Sequence, residues 1–363
     1  MIDPVPFEPD FSHLADVLER KKPRRTALFE YFMNESLYRA FARIEPDERI
    51  DDLEILIRAF CNAGYDYVLL PTWNMEGLRF WREPPLVFPT RAFQTLASRS
   101  LNAAALIFDR GSYRTYPWPD PDTDDYSLYR TAAKRLPRGM KLVISGTAGV
   151  LETAVDLVGY DRLCYLIHDD AGLVRDIFEQ IGSRIVRYYE ICSTLPRVGA
   201  LLGNDDWGFK TQTLFPPDFL RSTVFPWHRR IVDTAHRAGQ YAILHSCGNL
   251  DAVMEDVIEE MGYDGKHSFE DTICPVERAY RQWGKRIAIL GGIDVDFLSL
   301  KKPGQIYRRS RAMLDLSRAG GGYALGSGNS IPGYIPLRNY VAMIKAARGQ
   351  EMDWSDIEAA APE

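Results

Sequence analysis

Short apolar runs of strand character recur along the chain, and most are followed by a longer amphipathic stretch. The clearest are "TALFEY" (26–31), "YDYVLLP" (65–71), "KLVISG" (141–146), "RVGALLG" (197–203), "YAILHS" (241–246), "YDGKHSF" (263–269), "RIAILGG" (286–292) and "GYALGSG" (322–328). Several are nearly continuous in apolar residues, as expected of parallel strands covered on both faces. The stretches between them have a helical period. "DAVMEDVIEEM" (251–261) puts Val253, Val257, Ile258 and Met261 on one face, and "PGQIYRRSRAMLDLSRAG" (303–320) is entered by Pro and closed by Gly. Eight strand–helix repeats in one α/β domain spanning 1–363 predict a (β/α)8 barrel, with a doubly wound open sheet as the alternative.

An insertion at about 75–135, between the second and third predicted strands, breaks this rhythm. Its apolar runs "REPPLVFPT" and "LNAAALIFDR" predict a small hairpin. The following "RTYPWPDPDTDDY" predicts a loop, because Pro cannot donate to a ladder and Asp favours turns. The insertion is expected to cover one barrel end, and Tyr113, Tyr116 and Trp118 make it a candidate lid.

Barrels of this type carry their functional groups where the strands end. Polar residues collect there after nearly every predicted strand: Glu30 and Asn34; Thr72, Trp73, Asn74 and Glu76; Asn204, Asp205, Asp206 and Lys210; His245 and Cys247; Glu270 and Asp271; Asp294 and Asp296; Ser327, Asn329 and Ser330. Stability alone does not ask for so many. Alternate side chains on a strand share a face, so His245 and Cys247 project together and can reach one metal ion, for which zinc is the usual choice with mixed N and S donors. A buried imidazole beside an inert core thiol is the competing reading. Glu270 offers an oxygen donor, or a helix cap. Asp205 and Asp206 sit where an acid–base or substrate-binding carboxylate belongs. Being adjacent, they diverge, and one of them faces the site. His168, His228 and His236 fall in helical stretches and read as structural or surface residues. Gly-rich nucleotide loops and a GxSxG elbow are absent from the sequence.

Composition narrows the setting. Apolar residues make up 46% and charged residues 26%, the profile of a well-cored globular protein. A formal net charge of -6 provides no basic field for nucleic acid or an anionic membrane. No run approaches the roughly 18 apolar residues of a membrane span. The acidic, Pro-bearing start is unlike a signal peptide, and five irregularly spaced cysteines suit a reducing cytosol, so a cytoplasmic location is expected.

The succession "GNDDWGFKTQTLFPPDFLRSTVFPWHRRIVDTAH", "ILHSCGNL", "GGIDV" and "YALGSGNSIPGYIPLRNYVAMIKAAR" resembles the uroporphyrinogen decarboxylase superfamily, well over 140–350 and more loosely before. The resemblance implies a TIM barrel and two possible chemistries: cofactor-free decarboxylation, or zinc-dependent methyl transfer with a corrinoid protein. The decarboxylase branch carries a Met-Arg-Gln-Ala-Gly-Arg signature at its first strand; here the stretch is "FEYFMNES", without arginine. The eighth-strand loop, "GSGNS", also lacks that branch's His.

The methyltransferase branch holds zinc with a His-x-Cys at the fifth strand, which His245 and Cys247 match. Those enzymes supply a second Cys after the eighth strand, where this chain has Asn329, so Glu270 or Cys274 is left to complete the set. The resemblance thus implies zinc on His245 and Cys247, and Glu270 is the expected third donor, although the motif requires neither candidate. From their places at the strand ends, catalytic roles are expected of Asp205, Asp206 and Glu270, and a substrate pocket is expected to include Trp73, Asn74, Asn204, Asp294 and Asn329. The expected reaction moves a methyl group between a small methylated molecule, or a thiol- or folate-type acceptor, and a corrinoid carried by a partner protein; a homodimer is the expected assembly. A metal-free lyase acting on a carboxylated substrate and a non-catalytic family member are the alternatives.

Overall fold

The computed structural model describes residues 7–45, 48–70, 80, 106–146 and 148–351. Seven of the eight predicted strand segments form one all-parallel sheet in chain order. They are β1 (Tyr67–Leu70), β2 (Lys141–Ser145), β3 (Val198–Asn204), β4 (Tyr241–His245), β5 (Gly265–His267), β6 (Ala288–Leu290) and β7 (Tyr323–Ala324). Almost every strand residue is buried, as continuous apolar runs require when helices cover the outside. The remaining segment, 26–31, adds beyond β7: Leu28 bridges Leu325 in parallel, and the Phe29 amide donates to the Leu325 carbonyl at 2.9 Å.

The sheet is curled. Tyr31, beyond β7, places its hydroxyl 3.1 Å from Ser145 of β2 and stacks its ring on His245 of β4. A flat sheet would hold these strands far apart, since neighbours are spaced about 4.8 Å. Register then sets the site. Asn204 of β3 pairs with His245 of β4, and His245 pairs with His267 of β5, so three polar residues stand in one row at the strand ends.

Two local expectations change. Residues 251–261 are not an α-helix but a 3-10 turn (Asp251–Val253) followed by a π-helix (Asp256–Met261). The wide turn keeps Val257 and Met261 in the core while Asp256 is held, nearly buried, against Arg221 at 2.9 Å. The Pro/Asp string is also less loop-like than expected, lying between helices Arg110–Thr115 and Ser127–Arg135, with a 3-10 turn at Pro121–Thr123. Ion pairs Arg110–Asp170 (2.7 Å) and Arg187–Asp122 (2.6 Å) tie this segment to helix Ala171–Ser193. Tyr113 and Tyr116 each meet Trp118 edge to face, and Arg184 of that helix lies over Trp118. These contacts are with the outer helix rather than with the strand ends. The expected hairpin lies outside the described residues. Among the described residues, no helix is long and apolar enough to cross a membrane.

One close approach holds the loops after β3 and β4 together. The Gly208 amide donates to the Cys247 carbonyl at 3.1 Å, and the Asn249 amide to the Phe209 carbonyl at 2.8 Å. Gly248 has φ +81°, and a Cβ there would stand 2.3 Å from the backbone of Gly208. Gly248→Ala is therefore expected to cost about 2–3 kcal/mol through left-handed strain and overpacking, measured by urea unfolding. A neutral result would mean that the two loops are free to separate.

Candidate metal centre at the strand ends

The two adjacent aspartates point in different directions. Asp205 is fully buried and turns away, accepting hydrogen bonds from the Leu151 and Glu152 amides at 2.9 Å each. It thereby caps helix Val150–Val158. Its Oδ2 also lies 3.0 Å from Nε2 of His228, whose Nδ1 meets the Tyr263 hydroxyl at 2.7 Å. His228 is thus buried with a partner at each ring nitrogen. Asp206 turns the other way, and its Oδ1 accepts from the Cys247 amide at 2.8 Å.

Asp206, His245 and Cys247 converge. One ligand atom from each lies within 4.8 Å of the other two, and His245 Nε2 is 3.6 Å from Cys247 Sγ. Donors held about 2.0–2.3 Å from a tetrahedral zinc ion stand roughly 3.3–3.8 Å apart, so the His–Cys spacing already suits one. An imidazole nitrogen, a thiol sulfur and one carboxylate oxygen form a donor set that leaves a fourth position open.

Burial raises the Asp206 and Cys247 pKa values, Cys247 further through the neighbouring Asp206 charge, and pushes the His245 imidazole well below its usual range. A divalent cation would favour the deprotonated acid and thiol and the neutral ring. The sulfur has further partners: Asn329 Nδ2 donates to it at 3.3 Å and Ser268 Oγ at 3.5 Å. Asn329, standing where a second Cys was expected, thus reaches the same sulfur as a donor. Ser268 takes φ +100°, a strained conformation for a non-glycine residue beside a polar cluster. Buried Lys266 donates to the carbonyls of Ser246 (3.2 Å) and Ser268, and burial lowers its pKa to about 8.

The other expected site residues are distributed around this centre. Glu270, half-buried, lies outside the group of three; burial and the charges of Asp294 and Asp206 raise its pKa. Asp294 caps helix Val295–Leu300 through the Phe297 amide (2.9 Å) and accepts from the Asp271 amide at 2.8 Å. Asp271 is paired with Arg309. Asn204 lies 3.4 Å from Ser145 Oγ and 3.5 Å from Glu152 Oε2. The Cys274 thiol is buried and outside the group of three. Trp73 and Asn74 lie outside the described residues.

Four residues without an assigned role at the sequence level also stand here. His267 Nδ1 is 2.8 Å from His245 Nδ1. Tyr31 stacks on His245 with ring centroids 4.2 Å apart. Burial and the neighbouring charges of Asp206 and Asp205 raise the Glu152 pKa well above its usual value. Glu30 is fully buried, with its pKa raised to about 8 by desolvation. For His267 a signal existed: His-Ser recurs at the ends of consecutive predicted strands, 245–246 and 267–268.

The profile of the family described as Uroporphyrinogen decarboxylase (URO-D) matches residues 107–350, more than half of the 363-residue chain. The chain belongs to the uroporphyrinogen decarboxylase family. No curated protein matches it by sequence. Its structure is similar to that of a methyltransferase from Methanosarcina mazei at 15% identity and a TM-score of 0.64, covering 93% of this chain and 98% of that one. At that identity the likeness bears on the fold. A protein from Listeria monocytogenes assigned as a vitamin-B12 independent methionine synthase matches over 90% of this chain and 98% of its own, at 12% identity and a TM-score of 0.46, too distant to support an argument. Within the arginine-free stretch 29–36 of this family member, Glu30 and Tyr31 are both buried.

Proposed function

We propose that the protein is a methyltransferase of the uroporphyrinogen decarboxylase family, folded as a closed (β/α)8 barrel and holding zinc on Asp206, His245 and Cys247. It transfers a methyl group between a small methylated molecule, or a thiol- or folate-type acceptor, and a corrinoid on a partner protein. The convergence of those three donor atoms carries the reading. Likeness to a methyltransferase fold supports it, as does the lack of arginine in "FEYFMNES", which leaves a polycarboxylate substrate without its charge partners. Bound there, zinc would lower the pKa of a coordinating thiol, or polarise the heteroatom that releases the methyl group.

The chain's own groups do the rest. Asn329 and Ser268 donate to the Cys247 sulfur and orient it. Glu270, half-buried and with its pKa raised by burial, carries the proton exchanged with the substrate heteroatom. Asn204 and Asp294 line the substrate space.

The test is zinc stoichiometry by mass spectrometry on wild type and Cys247→Ser, followed by demethylation of methylcobalamin by a thiol. Near-stoichiometric zinc is expected in the wild type and its loss in the variant, with the thioether and cob(I)alamin formed by the wild type alone. Wild type that takes up no zinc after reconstitution, and releases CO2 from carboxylated substrates, would establish the lyase reading instead.

A further inference from the structure

Behind the three donors runs a chain of hydrogen bonds that ends on His245. His267 Nε2 lies 3.2 Å from the Ser327 carbonyl oxygen. A carbonyl can only accept, so His267 carries its hydrogen on Nε2. In a neutral ring Nδ1 is then a bare acceptor, and it faces His245 Nδ1 at 2.8 Å. His245 must donate there, which places its hydrogen on Nδ1. Its Nε2 lone pair is thereby left facing Cys247 Sγ at 3.6 Å.

The start of the chain is fixed as firmly. Ser327 Oγ is 2.5 Å from Glu30 Oε1, and the Ser327 amide donates to Glu30 Oε2 at 3.3 Å. The Ser327 carbonyl also accepts from the Gly292 amide at 2.8 Å. Gly291 keeps the passage open, since a Cβ there would stand 2.2 Å from the Ser327 oxygen and 3.0 Å from His267 Nε2. Residues 29 and 31 clamp the rings, Phe29 against His267 and Tyr31 against His245.

We propose that His267 is a positioning residue that locks His245 in its Nδ1–H tautomer, and that Glu30 holds His267 in place through Ser327. The inference rests on the zinc reading only for its purpose; the tautomer itself is a property of the metal-free chain. Ligating histidines are commonly oriented by a partner on their second nitrogen, and loss of that partner typically weakens metal binding 10–100-fold.

Long-range 1H–15N NMR of the metal-free, full-length protein tests it, with zinc affinity by chelator competition as a second readout. The wild type is expected to show a protonated Nδ1 and bare Nε2 on His245, and the reverse on His267. In His267→Phe, His245 is expected to populate the Nε2–H form and zinc to bind 10–100-fold more weakly. His267→Asn, which returns an acceptor near the Nδ1 position, is expected to recover both. Wild-type His245 found with its hydrogen on Nε2 overturns the inference, whether or not the variants fold. So does a His267→Phe protein with an unchanged tautomer and zinc affinity. The expected tautomers in a protein that takes up no zinc would sink the zinc reading and leave the role of His267 intact; zinc binding by a wild type with the opposite tautomer would do the converse.

Discussion

Asp205→Ala is expected to destabilise the protein by about 3–5 kcal/mol, because three buried donors lose their acceptor at roughly 1–3 kcal/mol each, while Asp206→Ala costs the fold about 1 kcal/mol and removes the metal. The neighbours differ because they solve different problems. Asp205 has no solvent exposure and satisfies two amides at the start of helix Val150–Val158 together with His228 Nε2. Removing it strands all three donors in the interior. Asp206 has its described hydrogen bonds with Cys247 alone, accepting from the amide and meeting the thiol, and its carboxyl is already penalised by burial. Urea unfolding and zinc stoichiometry on the two variants separate the cases. Equal loss of stability, or an Asp206→Ala protein that keeps its zinc, would show that the division of labour is misassigned.

Glu30→Gln is expected to remove a large pH dependence of stability. The Glu30 carboxyl is fully buried, and its pKa is raised from 4.5 to about 8. The hydrogen bonds agree with a neutral acid: Ser327 Oγ also contacts the Asn329 carbonyl, and if its one hydrogen goes there, Glu30 must donate to Ser327. With the folded pKa above the unfolded one, the native state binds the extra proton. Stability contributed by this group is therefore complete below about pH 4.5 and falls by roughly 1.4 kcal/mol per pH unit until about pH 8. Glutamine keeps a donor for Ser327 Oγ and an acceptor for the Ser327 amide and Tyr340, without a proton to lose. Between pH 5.5 and 8 the variant should gain about 3 kcal/mol on the wild type, read as the difference of two urea-unfolding series. Parallel curves would mean that Glu30 is ionised in the folded protein.

Much of this site is visible in short stretches of sequence. Period-2 alternation puts His245 and Cys247 on one face whatever surrounds them, and the adjacency of Asp205 and Asp206 forces one of them outward from the site. Apolar runs at 65–71, 141–146 and 197–203 became β1, β2 and β3 within a residue or two at each end. Such features rest on backbone geometry that repeats within one element, so neighbouring residues suffice to show them.

Which elements meet was settled by tertiary structure. Parallel register sets Asn204, His245 and His267 side by side, and the curl of the sheet brings Tyr31 across to His245. Those relations link residues more than twenty positions apart, and no local period encodes them. The third donor shows the same limit: Glu270 and Asp206 both follow strands, and Asp206 joins His245 and Cys247 because the loops after β3 and β4 are hydrogen-bonded along Gly208–Cys247 and Phe209–Asn249. The residue types and their directions along each strand belong to the sequence by itself. Their convergence belongs to the packed sheet, because only non-local contacts bring the donors within reach of one ion.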